Sequence, residues 1–294
     1  MDVITIKNKQ ILEQNLSHNI SFDGKNLNIP TNTNANQPIK ITLLEDNHEE
    51  LIISIGKNSN ITMILEVTDH SKEISDYNIK LEIGDNAHVK YLLIAALESK
   101  KAIINHDVIT NKNSDLQFLA GLVSDKLIAK INCLVSGEGS NVDIKSVTVS
   151  SDENHQTVDV YLHHKAPNTN GNMTNVGIAN KMGTIVLNGV EKIDKGMKNC
   201  NVYQTLRGII TSDDARIDVN PILLIDEYDL QGAGHAATVG KIDEEALYYL
   251  MSRGLTKYDA EKLIINGFLK PIIDEIDDEE LKERFINLVN TRIW

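Results

Sequence analysis

The chain has 294 residues, with 29 basic against 42 acidic side chains and a net charge of −13. That length can bury a sizeable core and accommodates one large domain with a small one. Such an acid excess argues against nucleic-acid binding, which calls for a basic stripe, and fits solubility or a basic partner.

Residues 1–20 read as a short N-terminal segment, 21–240 as a β core and 241–294 as a C-terminal helical domain. The opening stretch has no basic segment followed by an apolar one, so no export signal is expected. The longest apolar run, Tyr91–Leu97, is far short of the about 20 residues a membrane helix needs. Two distant cysteines, Cys133 and Cys200, suggest a reducing compartment rather than a disulfide framework. The expectation is a cytoplasmic chain with no membrane or nucleic-acid partner.

Within the β core, Ile61, Met63, Leu65 and Val67 alternate, as do Val142 with Ile144 and Val147 with Val149. Period-two patterning rich in Val and Ile argues half-buried strands. A turn-and-strand unit recurs: a turn former, any residue, a turn former, a small residue, any residue, then an aliphatic one. Copies begin at Gly56, Gly84, Asn111 and Gly137, spaced 28, 27 and 26 residues apart, and a later one begins at Ser212. Asn58, Asn86, Asn113 and Gly139 hold the tight-turn position, followed by Ser59, Ala87, Ser114 and Ser140 as the small residue. Near-constant spacing of units that cannot bury their apolar faces alone predicts a stacked β-solenoid.

Further along, His163 and His164 are adjacent, so a strand points them to opposite faces and they cannot chelate one metal together. A surface or turn role is expected for them. Cys133 reads as a core thiol, and Cys200, among polar residues, as exposed and inert. A β-solenoid carbohydrate-active enzyme is the alternative reading. It needs acids and an arginine gathered on one face, and nothing in the sequence clusters Asp143, Asp159, Asp194 and Arg207. No catalytic residue is assigned.

Gly232–Gly240, "GAGHAATVG", fits the dinucleotide fingerprint G-x-G-x-x-A, but five residues separate it from the preceding apolar run and two further acids would repel a phosphate. Its glycines are expected to turn the chain tightly into the helices. His235 stands among them, either as a structural hydrogen-bonding group or as a metal ligand or proton carrier.

Beyond Lys241 the period becomes helical. Asp243 is the expected N-cap, Leu247, Leu250 and Met251 share a face, and Gly254 suits a left-handed C-cap. Thr256 caps a second helix carrying Ala260, Leu263, Ile264 and Phe268, which Pro271 interrupts or kinks. A third helix, from Asp277, offers Leu281, Phe285, Leu288 and Val289. These helices either cap the open end of the solenoid or dock a partner.

The run from Pro221 to Phe268, "PILLIDEYDLQGAGHAATVGKIDEEALYYLMSRGLTKYDAEKLIINGF", resembles the C-terminal signature of the SufB/SufD family of iron–sulfur cluster assembly proteins. "HHKAPNTNGN", from His163, and "QTLRGIITSDDARIDVNP", from Gln204, resemble the family core, and the resemblance runs from about Gly84 to Phe268. It implies a mainly β fold, a right-handed parallel β-helix with a small C-terminal helical domain. It further implies a non-catalytic subunit that pairs with a SufB-like subunit, or forms a homodimer, through the β-helix. A SufC-like ATPase would dock on the C-terminal helices, where Tyr249, Arg253, Leu263 and Phe268 are the candidate contacts. No intrinsic cofactor is implied, only a transient iron–sulfur cluster in the complex. His235 matches the family histidine at the subunit interface, as a candidate cluster or iron ligand. Ala236 follows it where SufB-like chains carry Glu, which resembles the SufD-like branch. Ala233 stands where many SufD chains carry Cys, which favours a supporting subunit.

Overall fold

The computed structural model describes residues 2–45, 50–70, 73–274, 276 and 279–293. Two antiparallel pairs begin the chain: β1 (Asp2–Lys7) with β2 (Gln10–Asn15), and β3 (Ser21–Phe22) with β4 (Asn26–Ile29). Then follow β5 (Ile39–Leu44), β6 (Leu51–Ile55), β7 (Asn60–Asp69), β8 (Ile74–Ile83), β9 (His88–Leu97), β10 (Lys101–Thr110), β11 (Asp115–Leu122) and β12 (Leu127–Val135). The later strands are β13 (Asn141–Ser150), β14 (His155–His164), β15 (Asn170–Ala179), β16 (Thr184–Ile193), β17 (Asn201–Ile210), β18 (Arg216–Ile225) and β19 (Gly232–Lys241). Three helices close the chain: α1 (Glu244–Ser252), α2 (Lys257–Ile273) and α3 (Glu279–Ile293).

From β5 onward the chain alternates between two sheets. Odd-numbered strands from β5 on, with β1 and β2, build a ten-stranded sheet ending at β19, and even-numbered strands from β6 on, with β3 and β4, a nine-stranded sheet ending at β18. Each strand pairs in parallel with the strand two places on, as in Asn60 with His88 and His88 with Asp115. This is the β-solenoid the repeat predicts. β1 pairs in parallel with β5, so the ten-stranded sheet extends into residues 1–20.

The repeat marks one corner of each turn. Asn58, Asn86 and Asn113 take φ of 54°, 54° and 52°, and Gly139 takes 74°. Their side chains form a ladder: Asn58 Nδ2 donates to Asn32 Oδ1 at 3.1 Å, Asn86 to Asn58 at 3.1 Å, and Asn113 to Asn86 at 3.2 Å. At Gly139 a Cβ would come within 2.4 Å of Asn113 Oδ1, which is why glycine interrupts the run. Asn168 then donates to Glu138 Oε1 at 3.0 Å and Asn199 to Asn168 at 3.1 Å. Ser59, Ser114, Ser140, Thr169 and Cys200 tuck the small side chain inward and are buried. Cys200 is therefore a buried corner residue, not an exposed one. Its Sγ lies 3.1 Å from Thr169 Oγ1. The Ser212 copy belongs to the opposite corner, from β17 to β18, where Ser212 Oγ donates to Lys181 O at 2.7 Å.

Inward side chains such as Ile41, Leu65, Leu93, Phe118 and Ile144 form one continuous lumen core. Several odd strands are buried on both faces. In β13, Val142 and Ile144 point inward while Val147 and Val149 point outward beneath the helices. Ile265 and Leu269 of α2 and Phe285, Val289 and Ile293 of α3 pack on that outer face with Leu92, Leu119 and Ile178. The Phe285 ring presses so closely on β11 that a Cβ at Gly121 would lie 2.2 Å from its Cε2. Arg284 pairs with Glu66 at 2.9 Å, and Arg292 pairs with Asp125. The helices thus clasp the side of the solenoid and leave its end uncapped.

The expected caps are present: Asp243 Oδ1 accepts from Glu245 N at 2.9 Å, Thr256 Oγ1 accepts from Asp259 N at 3.1 Å, and Gly254 has φ +99°. α2 runs on to Ile273, past Pro271. Asp277, Asp278 and the side chain of Leu281 lie outside the described residues.

Candidate functional site at the open end

The last rung consists of β18 and β19, each an outermost strand of its sheet. Pro221 sits in the middle of β18, which an edge strand tolerates because only one side must donate to a neighbour. Four apolar side chains are 37–46% exposed here: Ile222, Leu224, Ile225 and Val239.

"GAGHAATVG" is not a turn. It forms nearly all of β19, in register with β17 from Asn201 onward. Its glycines yield space to Tyr203 on the adjacent strand: a Cβ at Gly232 would come within 2.7 Å of Tyr203 Oη, and one at Gly234 within 3.2 Å of the ring. His235 pairs in register with Gln204, an inward-facing residue of β17. It therefore lies on the lumen side of the last rung, exposed because no further rung covers it. Among the described residues no group of three or more His, Cys, Asp and Glu is disposed to hold a metal ion. His235 alone supplies one imidazole, and further ligands would come from outside this group.

Beside this mouth, the Glu227 side chain ties the loop between β18 and β19 to the loop before β17. The Glu227 carboxylate accepts from Gly196 N at 2.7 Å, Tyr228 N at 2.9 Å and Asp229 N at 3.1 Å, and these bonds hold its pKa below the ordinary value. Tyr228 projects fully into solvent.

The four candidate helix residues divide. Tyr249 and Leu263 are exposed, and the Arg253 guanidinium lies 5.2 Å from the Tyr249 ring centroid. Phe268 instead packs against the solenoid, with the Arg207 guanidinium 4.3 Å from its ring centroid. Phe268 thus belongs to the internal contact between helix and sheet. A crevice of about 390 Å³ opens where β17, β19, α1 and α2 meet, lined by Arg207, Thr238, Asp243 and Phe268 among others.

The remaining candidates are scattered. His163 faces outward and its Nε2 meets Asp194 Oδ1 at 2.9 Å; His164 faces the lumen, fully buried, with Nδ1 2.8 Å from Thr169 Oγ1. Burial pushes the His164 imidazole down to about 4 and the Cys133 thiol up to about 12. Asp143 lies on the ten-stranded sheet beside Lys145, and Asp159 on the nine-stranded one, accepting from Asn188 at 2.6 Å. The acids a carbohydrate-active solenoid would gather sit apart.

Sequence reasoning missed Glu191 and Gln204, which face the lumen one rung beneath the mouth. Their signal was present, since each falls on the inward phase of an otherwise apolar alternation.

Fold and site together define a two-sheet β-solenoid that clasps its helices along one side and exposes a strand edge at one end. A family model described as "SUF system FeS cluster assembly, SufBD core domain" matches residues 40–268. The chain belongs to the SufB/SufD family of iron–sulfur cluster assembly proteins. Within it the chain is SufD-like: it is 30% identical over 281 residues to the iron–sulfur cluster assembly protein SufD of Bacillus subtilis, covering 92% of this chain and 64% of that protein. It is also 26% identical over 203 residues to a SufBD family protein of Mycobacterium tuberculosis, covering 68% of this chain and 24% of that one. A Staphylococcus epidermidis SufBD family protein is 26% identical over 205 residues, with 68% and 43% covered. The chain spans less than two thirds of the length of each of these relatives.

Proposed function

We propose that the chain is a non-catalytic, SufD-like scaffold subunit of an iron–sulfur cluster assembly complex in the cytoplasm. Its open end, β18 and β19, pairs with the β-solenoid of a SufB-like subunit or of a second copy. The observation that carries this reading is the uncapped last rung, two strand edges flanked by exposed apolar side chains. Unpaired edges of this kind are templates for another chain. The exposed faces of α1 and α2, with Tyr248, Tyr249, Met251 and Leu263, dock a SufC-like ATPase, where ATP hydrolysis takes place. His235 meets the cluster or its iron as cargo passing the subunit interface, and the chain holds no cofactor of its own.

Co-expression with SufB-like and SufC-like proteins followed by size-exclusion chromatography tests this. A stable complex containing all three is expected, and a monomer that ignores both overturns the reading. Leu263→Asp should release the ATPase and leave the solenoid pairing in place. Phe268 is unsuited to this test because it anchors α2 to the sheet.

A further inference from the structure

The inward residues of β16 are Ile185, Leu187, Gly189, Glu191 and Ile193. A carboxyl group thus occupies a lumen position that β14 fills with Leu162 and β18 with Leu223. Glu191 has no exposed surface, and neither of its oxygens has a hydrogen-bond partner among the described residues. Across the corner, Gln204 is the second inward residue of β17, as Glu191 is the second from the end of β16. Gln204 Nε2 donates to the Ile222 carbonyl of edge strand β18 at 2.8 Å, while its Oε1 has no partner among the described residues. A Cβ at Gly189 would lie 2.9 Å from that oxygen, so the amide oxygen rests against β16 two residues from Glu191.

The two orphaned groups are complementary in one protonation state only. A neutral carboxyl has an O–H to give, and Gln204 Oε1 has a lone pair to receive it. A carboxylate offers acceptors alone and would confront that oxygen with like polarity in a dry compartment. We propose that Glu191 is a proton-operated switch in the lumen: as the acid it donates to Gln204 Oε1, and its ionisation turns the amide round and withdraws Nε2 from the Ile222 carbonyl.

Burial holds the Glu191 carboxyl up at about 8, so the acid is the main form at neutral pH. Among the described residues, the surrounding elements set no charge against it. β14 presents Leu162 and His164, β15 Met173, β17 Gln204, β18 Leu223 and the corner Cys200; His235 stands one rung beyond Gln204. With its pKa down at about 4, His164 stays neutral while Glu191 titrates. Edge strand β18 is therefore tied to the lumen through a bond whose partner depends on one proton. The inference rests on the fold and not on the proposed partners.

Hydrogen exchange of the full chain, read by mass spectrometry at about pH 6.5 and about pH 9, tests it. After correction for intrinsic exchange, β18 amides should exchange roughly tenfold faster at the higher pH. Glu191→Gln keeps a donor toward Gln204 and should abolish the difference, whereas Gln204→Met should exchange fast at both. Equal protection of wild-type β18 at the two pH values overturns the proposal, as does an unchanged difference in Glu191→Gln. Should that variant fail to fold, isotope-edited infrared spectroscopy of wild type decides. A buried carboxylic-acid band present at about pH 6.5 and lost at about pH 9 supports the switch, and its absence at the lower pH overturns it.

Discussion

The two ends of the solenoid answer the same physical problem differently. At the first rung each sheet turns back on itself, β1 against β2 and β3 against β4, so an antiparallel strand covers the parallel edge. β2 is exposed along its whole length, polar at Glu13, Gln14 and Asn15 and apolar at Ile11 and Leu12, and the Asp2 carboxylate accepts from Ser17 N at 2.7 Å and Oγ at 2.9 Å, fastening the hairpin. At the last rung no hairpin follows, and β18 and β19 keep one side unpaired beside exposed apolar side chains. Exposed edges invite association, and proteins ordinarily blunt them. The two ends therefore differ in how the parallel ladder stops, in an antiparallel hairpin at one and in a parallel strand at the other. Under the proposed pairing, the last rung is the end that meets a partner.

That contrast is open to attack, beginning with the largest expected effect. Ile4 of β1 is fully buried, so Ile4→Ala should destabilise the chain by about 2–5 kcal/mol in denaturant unfolding, while Val239→Ala at the other end should stay within about 0.5 kcal/mol. Equal losses would mean the last rung is as built-in as the first. Next comes pH. The folded-state value of Glu191 lies at about 8 against an ordinary 4.5, so the folded chain binds more protons between them and this group lowers stability as pH rises through that window. Glu191→Gln should therefore stabilise by about 2–4 kcal/mol at pH near 8 and by almost nothing below about pH 4.5, read from paired unfolding curves. The smallest effect is on association. Leu224→Lys should weaken pairing at the open end by about 2 kcal/mol, roughly thirtyfold, with melting unchanged, whereas Leu12→Lys on β2 should leave pairing as it is. Sedimentation equilibrium with the partner subunit reads both.

The solenoid was legible because its signal is local. A left-handed Asn or Gly and a small residue recur wherever the chain must turn inward, and four consecutive corners preserve the spacing. The corners at Asn168 and Asn199 escaped because Ala166 and Met197 stand where the repeat has its leading turn former, and Ser212 was drawn into the series although it marks the opposite corner. The helix caps at Asp243 and Thr256 were equally readable, being contacts between residues two or three apart. Long-range facts were not. An apolar helix face states that it is buried but not against what, so capping the end and clasping the side looked alike until Phe285 met Gly121. β19 was mistaken for a turn because glycine signals both tight turns and close neighbours, and only Tyr203 decides between them.

The asparagine ladder has a last consequence. Its bonds join residues 26, 28, 27 and 31 positions apart, with nearly the same geometry each time. Each corner recognises only the corner beneath it and is indifferent to how much chain lies between. Such an architecture can lengthen in loops without losing its alignment, and can gain or lose whole coils as units, much as a spiral staircase changes height by the step.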